Sequence, residues 1–187
     1  MSSDQTPSDT PHEGRVDPRS FGVKSRDEIS SGDLVIYPFL WSWESRRGIV
    51  QANKMRPCVA LMRFDDETND PAVILLAITT KPAMDWHDRM AIPPEECVRV
   101  GMDPGRGATI ALNDMNIERI FCSRRLREKV PLRSFSPMFM ADLAARFTEV
   151  MRGRRVSQVV RLTPPLNDRI IEHKARKDDP TNFDFSM

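Results

Sequence analysis

Two apolar runs lie close together in the middle of the chain and limit what it can fold into. PCVALMR (Pro57 to Arg63) and AVILLAITT (Ala72 to Thr80) are short, continuously hydrophobic and almost free of polar alternation. Runs of four to eight residues with this composition read as strands, and the lack of alternation predicts burial on both faces. The acidic link FDDETNDP between them has the turn-forming composition of a hairpin-type loop. An earlier run, DLVIYPF (Asp33 to Phe39), predicts a further strand, which Pro38 confines to a sheet edge or a bulge.

Around these runs the elements are shorter. Met90 to Gly101 reads as a short strand and one helical turn opened by Pro93 or Pro94. ATIALN (Ala108 to Asn113) and NIERIF (Asn116 to Phe121) read as two short strands or one bent strand. One helix is clear, over residues 137–152. Ser136 is its N-cap, Pro137 its first residue and Gly153 its stop, while Met140, Leu143, Phe147, Val150 and Met151 recur at helical spacing. Many short strands and one late helix predict a mainly β fold, with minor α: a small, partly open barrel of about 5–7 strands.

The flanks differ in composition. Residues 1–30 are rich in Ser, Thr, Asp and Pro and read as a flexible N-terminal arm, because they bury too little apolar surface to offset their ordering entropy. The barrel domain then covers 31–153, beginning at the Ser31-Gly32 turn signal. Residues 154–187 form a basic, polar C-terminal tail with a short helix near Leu166 to Ala175. No run of eighteen apolar residues occurs, which argues against a membrane span, and the N-terminus lacks the pattern of a secretory signal. Three distant cysteines, Cys58, Cys97 and Cys122, fit neither a disulfide framework nor a metal knuckle, so a reducing cytoplasm is the expected compartment.

Several candidate chemistries fall away on inspection. The histidines, His12, His87 and His173, are isolated, so neither a zinc site nor a Ser-His-Asp triad is expected. GMDPGRG (Gly101 to Gly107) lacks the phosphate-loop pattern and reads as an ordinary turn. Asp65-Asp66-Glu67 reads as a solvated loop tip and not a cation site, and Cys122 as an inert thiol. No metal or other cofactor is expected.

Two basic features remain. The net charge is only +1, yet residues 119–133 hold six Arg or Lys against Glu128 alone. Arg124, Arg125 and Arg127 thus offer bidentate donors to phosphates or to an acidic partner. Tyr37, Phe39, Trp41 and Trp43 crowd one loop with Arg46 and Arg47 just beyond. That mixture serves either as a stacking platform for unpaired bases or as a subunit interface.

The order of pieces resembles the MazF/PemK toxin family. Gly32-Asp33 opens a strand, Arg56-Pro57 opens the next before CVALM, and AITTKP (Ala77 to Pro82) closes the one after. Leu112-Asn113-Asp114 and the C-terminal helix follow. The likeness covers about residues 31–152, and the long, Trp-rich loop after the first strand departs from it.

The resemblance implies an SH3-like barrel that forms a homodimer and is silenced by a cognate antitoxin. It implies metal-independent endoribonuclease cleavage of single-stranded RNA, with Arg56 and Thr79 at the site and Thr80 as a neighbouring hydroxyl. Arg46, Arg47, Trp41, Trp43, Arg124, Arg125 and Arg127 are then the expected RNA-binding residues. The alternative on the same barrel is a non-catalytic module that binds an antitoxin, gyrase or another protein.

Overall fold

A computed structural model describes residues 22–64, 70–83 and 87–161. The described chain is mainly β. Its strands are β1 (Val23–Ser25), β2 (Leu34–Tyr37), β3 (Arg56–Phe64), β4 (Ala72–Thr79), β5 (Arg89–Ala91), β6 (Thr109–Ala111), β7 (Asp114–Arg119), β8 (Lys129–Pro131) and β9 (Ser157–Val160). The helices are α1 (Ser42–Arg46), α2 (Pro94–Arg99) and α3 (Pro137–Arg152). Among the described residues no helix is long and apolar enough to cross a membrane.

The two apolar runs become β3 and β4, paired antiparallel with Val59 opposite Leu76 and a bulge between Ala60 and Met62. Alternate residues of these strands divide between two cores. Val59, Leu61, Leu76 and Ile78 pack with Phe139, Leu143, Phe147 and Val150 of α3 and with Cys97 and Val100 beside α2. Cys58, Ala60, Val73, Leu75 and Ala77 pack on the other face with Val35, Tyr37, Phe39, Ile29, Ile120 and Leu126. Both faces of the pair are covered, which is why neither strand shows polar alternation.

The larger sheet runs β2-β3-β4-β6-β5, and it branches at β4. The far edge of β4 is shared, residues 72–75 pairing with β7 and 78–79 with β6. β9 lies parallel to β7, and β1 and β8 form a separate two-stranded ribbon. The nine strands among the described residues exceed the expected 5–7, and both sheets are open. β2 is the end of its path and stops at Tyr37, directly before Pro38, as a proline that cannot donate to a ladder requires.

The late helix matches its prediction. The Ser136 hydroxyl accepts the Phe139 N–H at 3.2 Å, Pro137 occupies the first turn, and Gly153 ends the helix. Its buried stripe is Phe139, Leu143, Phe147 and Val150, so Met151, expected on that face, is exposed instead. A spacing of three or four from Phe147 reaches both Val150 and Met151, and only one of them turns inward. Pro94 opens α2 as expected.

The N-terminal boundary needs correcting. Residues 22–30, read from composition as the end of an arm, carry β1, a 3-10 turn and Ile29, which is fully buried in the second core. Their apolar residues are few, but backbone pairing with β8 and the Arg26 guanidinium hold them. Arg26 donates to Ser123 O at 2.6 Å and to Phe121 O at 2.7 Å. Likewise β9 draws residues 157–160, assigned to the tail, into the sheet. Residues 1–21, the Asp65-Asp66-Glu67 tip and the expected helix near 166–175 lie outside the described residues.

The turn at Gly32 fixes the entry to β2. Its φ of 92° is open to glycine, and an added Cβ would meet Met140 Cγ at 3.3 Å. Asp33, buried beside it, accepts from Ser30 N and the Ser134 hydroxyl, both at 2.6 Å, and pairs with Lys24.

Candidate functional site

The open ends of β3 and β4 build the candidate site. Antiparallel pairing puts Cys58 opposite Ala77. Arg56 lies two residues further out along β3 and Thr79 two residues further out along β4. Arg56, Thr79 and Thr80 line one cavity of about 400 Å³. The three residues to which the resemblance assigned chemistry therefore come together, from segments more than twenty positions apart.

The cavity also gathers residues that no sequence pattern joined. Lys54 and Met55 enter before β3, Lys81 after β4, and Met102, Asp103 and Arg106 from the loop after α2. Four cations thus face one carboxylate among the lining side chains. The GMDPGRG turn is not a phosphate loop, yet it supplies one of those cations. The Asp103 carboxylate accepts the Gly105 N–H at 2.9 Å and shapes a 3-10 turn that ends in Arg106. Lys81 stood in the sequence as part of AITTKP, but Lys54 and Arg106 carried no signal of their own.

Packing holds Arg56 in place. Its guanidinium lies over the Trp41 ring at 5.5 Å, and its Nε is buried without a hydrogen-bond partner. Stacking of this kind costs the planar guanidinium none of its donors, so the remaining N–H groups stay available to an oxyanion. Thr79 is shaped by its neighbours. Its hydroxyl accepts the Lys81 N–H at 3.1 Å, and its carbonyl accepts the Thr109 hydroxyl at 3.2 Å. Arg89 tightens the same corner, donating to Lys81 O at 3.1 Å and Thr109 Oγ1 at 3.3 Å.

The aromatic loop is stapled down at four points. Asn116, fully buried on β7, accepts the Leu40 N–H at 3.1 Å and donates to Leu40 O at 2.8 Å. Asp114 accepts the Ser42 N–H at 2.9 Å, which caps α1, and Glu44 accepts the Trp41 N–H at 3.0 Å. Arg161 donates to Pro38 O at 2.7 Å and Val50 O at 3.0 Å. Burial raises the Asp114 carboxyl above its ordinary range against the opposing pull of Ser42, Arg46 and His87.

Trp41 is therefore a support. One face carries Arg56 and its ring meets Phe39 edge-on at 5.0 Å, so it is half-buried beneath the site. Trp43 is 42% exposed, with the Arg47 guanidinium over it at 5.3 Å. Arg46 and Arg47 sit at the exposed end of α1, outside the cavity lining.

The basic segment does not act as one patch. Arg125 turns inward, donating to Glu118 Oε2 at 3.2 Å and Arg161 O at 3.1 Å. Glu118 is fully buried and also accepts the Tyr37 hydroxyl at 2.7 Å. Burial is the largest influence on both acids. It raises the Glu118 carboxyl despite Tyr37 and Arg125, and it raises the Tyr37 phenol far beyond its normal range. Arg119 is drawn toward Asp70 O at 2.6 Å. Arg124 and Arg127 are exposed, Arg127 in a second groove with Lys129 and Arg133.

The thiols are held protonated. Burial pushes Cys58 far up, only partly countered by Arg56, and raises Cys97, while burial and Asp70 put Cys122 at about 11. None of them is a thiolate nucleophile at neutral pH. His87 lies in a described loop with its pKa lowered by burial and by Arg89; His12 and His173 lie outside the described residues.

No protein-family model matches the chain, and none of the curated proteins is significantly similar to it.

Proposed function

We propose that this protein is a MazF/PemK-type endoribonuclease that cleaves single-stranded RNA in the cytoplasm, as a homodimer restrained by an antitoxin. The observation that carries this reading is the convergence of Arg56, Thr79 and Thr80 in one basic cavity with Lys54, Lys81 and Arg106. The order of motifs along the sequence supports it.

The chemistry asks for little more than charge and position. The ribose 2′-oxygen attacks the adjacent phosphorus, its proton passes to a base or to water, and the bond to the 5′-oxygen breaks. The products are a 2′,3′-cyclic phosphate and a 5′-hydroxyl that has gained a proton. Charge builds on the non-bridging oxygens in the transition state. Arg56, pre-set by Trp41, and the Thr79 or Thr80 hydroxyl are suited to stabilise it, and one such donor is worth about 3 kcal/mol. Arg56 acts as a fixed cation and not a proton shuttle, because a guanidinium stays protonated. Lys54, Lys81 and Arg106 supply attraction for flanking phosphates.

The test is cleavage of a long single-stranded RNA in EDTA by wild type and Arg56→Ala. Discrete fragments from wild type alone are expected. Intact RNA with wild type would overturn the reading, and equal cleavage by both would move the site away from Arg56.

A second reading, a non-catalytic module for an antitoxin, gyrase or another protein, draws on a different observation. Trp43, Ile49 and Val50 are exposed together along the loop, Val50 to 74%. Absence of RNA binding at low salt, with capture of a small acidic protein, would favour it.

A further inference from the structure

A second groove lies beside β2 and β8. It measures about 280 Å³, and Arg127, Lys129 and Arg133 line it over an aliphatic floor of Val23, Ile36 and Pro131. None of its lining side chains is acidic. Arg127 and Lys129 are exposed and carry no side-chain partner among the described residues.

The two grooves are not independent. Ile36 lines the second and Pro57 lines the first, and these residues are direct cross-strand partners. Side chains of such a pair stand side by side on one face of the sheet, with Cβ atoms about 5 Å apart. The linings of the two grooves therefore meet at this pair.

We propose that the two grooves form one track for the backbone of single-stranded RNA. The phosphates beyond the scissile one cross Ile36 and Pro57 and continue along Arg127, Lys129 and Arg133. The span from Arg127 to Arg133 is at most about 20 Å at strand rise. Three cations set in sequence along one groove suit a polymer that offers one charge to each in turn. The aliphatic floor takes base faces, and its cations take the backbone, the division of labour seen in strand-tracking grooves. This inference rests on the ribonuclease reading and adds to it where the substrate runs.

The test is binding of labelled single-stranded RNA of about 4 and about 16 nucleotides to full-length protein across a salt series. The proteins compared are wild type and Arg127→Gln/Lys129→Gln, with matched thermal melts as the folding control. Wild type should bind the long RNA more tightly than the short. The double variant should lose about tenfold in affinity for the long RNA, and its log–log salt slope should fall by about 1.4, the loss of two single-strand phosphate contacts. The charge-conserving swap Arg127→Lys/Lys129→Arg should restore both.

An unchanged length dependence and slope, in a protein that still cleaves RNA, would overturn the track and leave the ribonuclease reading standing. A wild type that binds neither RNA and cleaves none would remove both. Binding of poly-glutamate but not RNA would assign the groove to an acidic protein instead.

Discussion

The cavity at the strand ends and the basic segment 119–133 carry similar charge and use it in opposite ways. In the segment six cations lie within fifteen residues, yet the fold scatters them. Arg125 is consumed by buried Glu118, Arg119 and Arg133 reach backbone carbonyls, and only Arg124, Arg127 and Lys129 are exposed. In the cavity the cations come from separate stretches, Lys54 and Arg56, then Lys81, then Arg106, and all face one space. Density along a chain is a statement about composition. Density in space depends on which loops the sheet brings to a common end.

The sharpest way to test this contrast is to remove one cation from each region. Arg56→Ala should lower RNA cleavage by about 10² to 10³-fold, the usual cost of losing one transition-state donor. Arg124→Ala should leave the cleavage rate constant within about twofold and reduce the salt slope by no more than about 0.7. Equal effects from both would erase the distinction.

The inward role of Arg125 makes a stability prediction. Glu118→Ala should cost about 3 kcal/mol in denaturant unfolding, because it strands Arg125 and the Tyr37 hydroxyl beside a buried void. Glu118→Gln should cost much less, since the amide oxygen can still accept from Tyr37. A Glu118→Ala protein of wild-type stability would show that Arg125 is not committed to the interior.

Trp41 links the two regions through the loop that Arg161 and Asn116 hold. Trp41→Leu retains apolar bulk and removes the ring beneath Arg56. It should cost about 1 kcal/mol of transition-state stabilisation, near fivefold in cleavage, with little change in RNA affinity.

The smallest effect is a pH slope. The Glu118 carboxyl sits above its ordinary 4.5, chiefly through burial. A carboxyl raised on folding favours its protonated form, so the native state holds the proton more tightly than the unfolded chain. The stability of wild type relative to Glu118→Gln should then fall as pH rises from about 4.5 upward and level off above the folded pKa. A difference that instead grows with pH would mean that the pairing with Arg125 outweighs burial.

Local rules made much of the architecture legible. Ser136, Pro137 and Gly153 bound α3 because caps act within one turn, and Pro94 opens α2 for the same reason. The unbroken apolar runs announced two-faced burial, since alternate side chains of a strand must both find a core. Residues 22–30 escaped because what orders them is backbone pairing with β8, a hundred residues away, and no composition rule reports that.

The site divides along the same line. Arg56, Thr79 and Thr80 could be named from the sequence, since each stands at the end of a recognisable strand and the motif order resembles a known family. Their meeting in one cavity follows from the antiparallel pairing of β3 with β4. The inward turn of Arg125, the support of Arg56 by Trp41, and the entry of Lys54 and Arg106 were decided by tertiary structure alone. The sequence by itself determined which segments become strands and helices, because propensity, capping and periodicity are local. Only the tertiary structure decided which charges are spent inside and which meet at the mouth, because burial and long-range pairing depend on residues far apart in the chain.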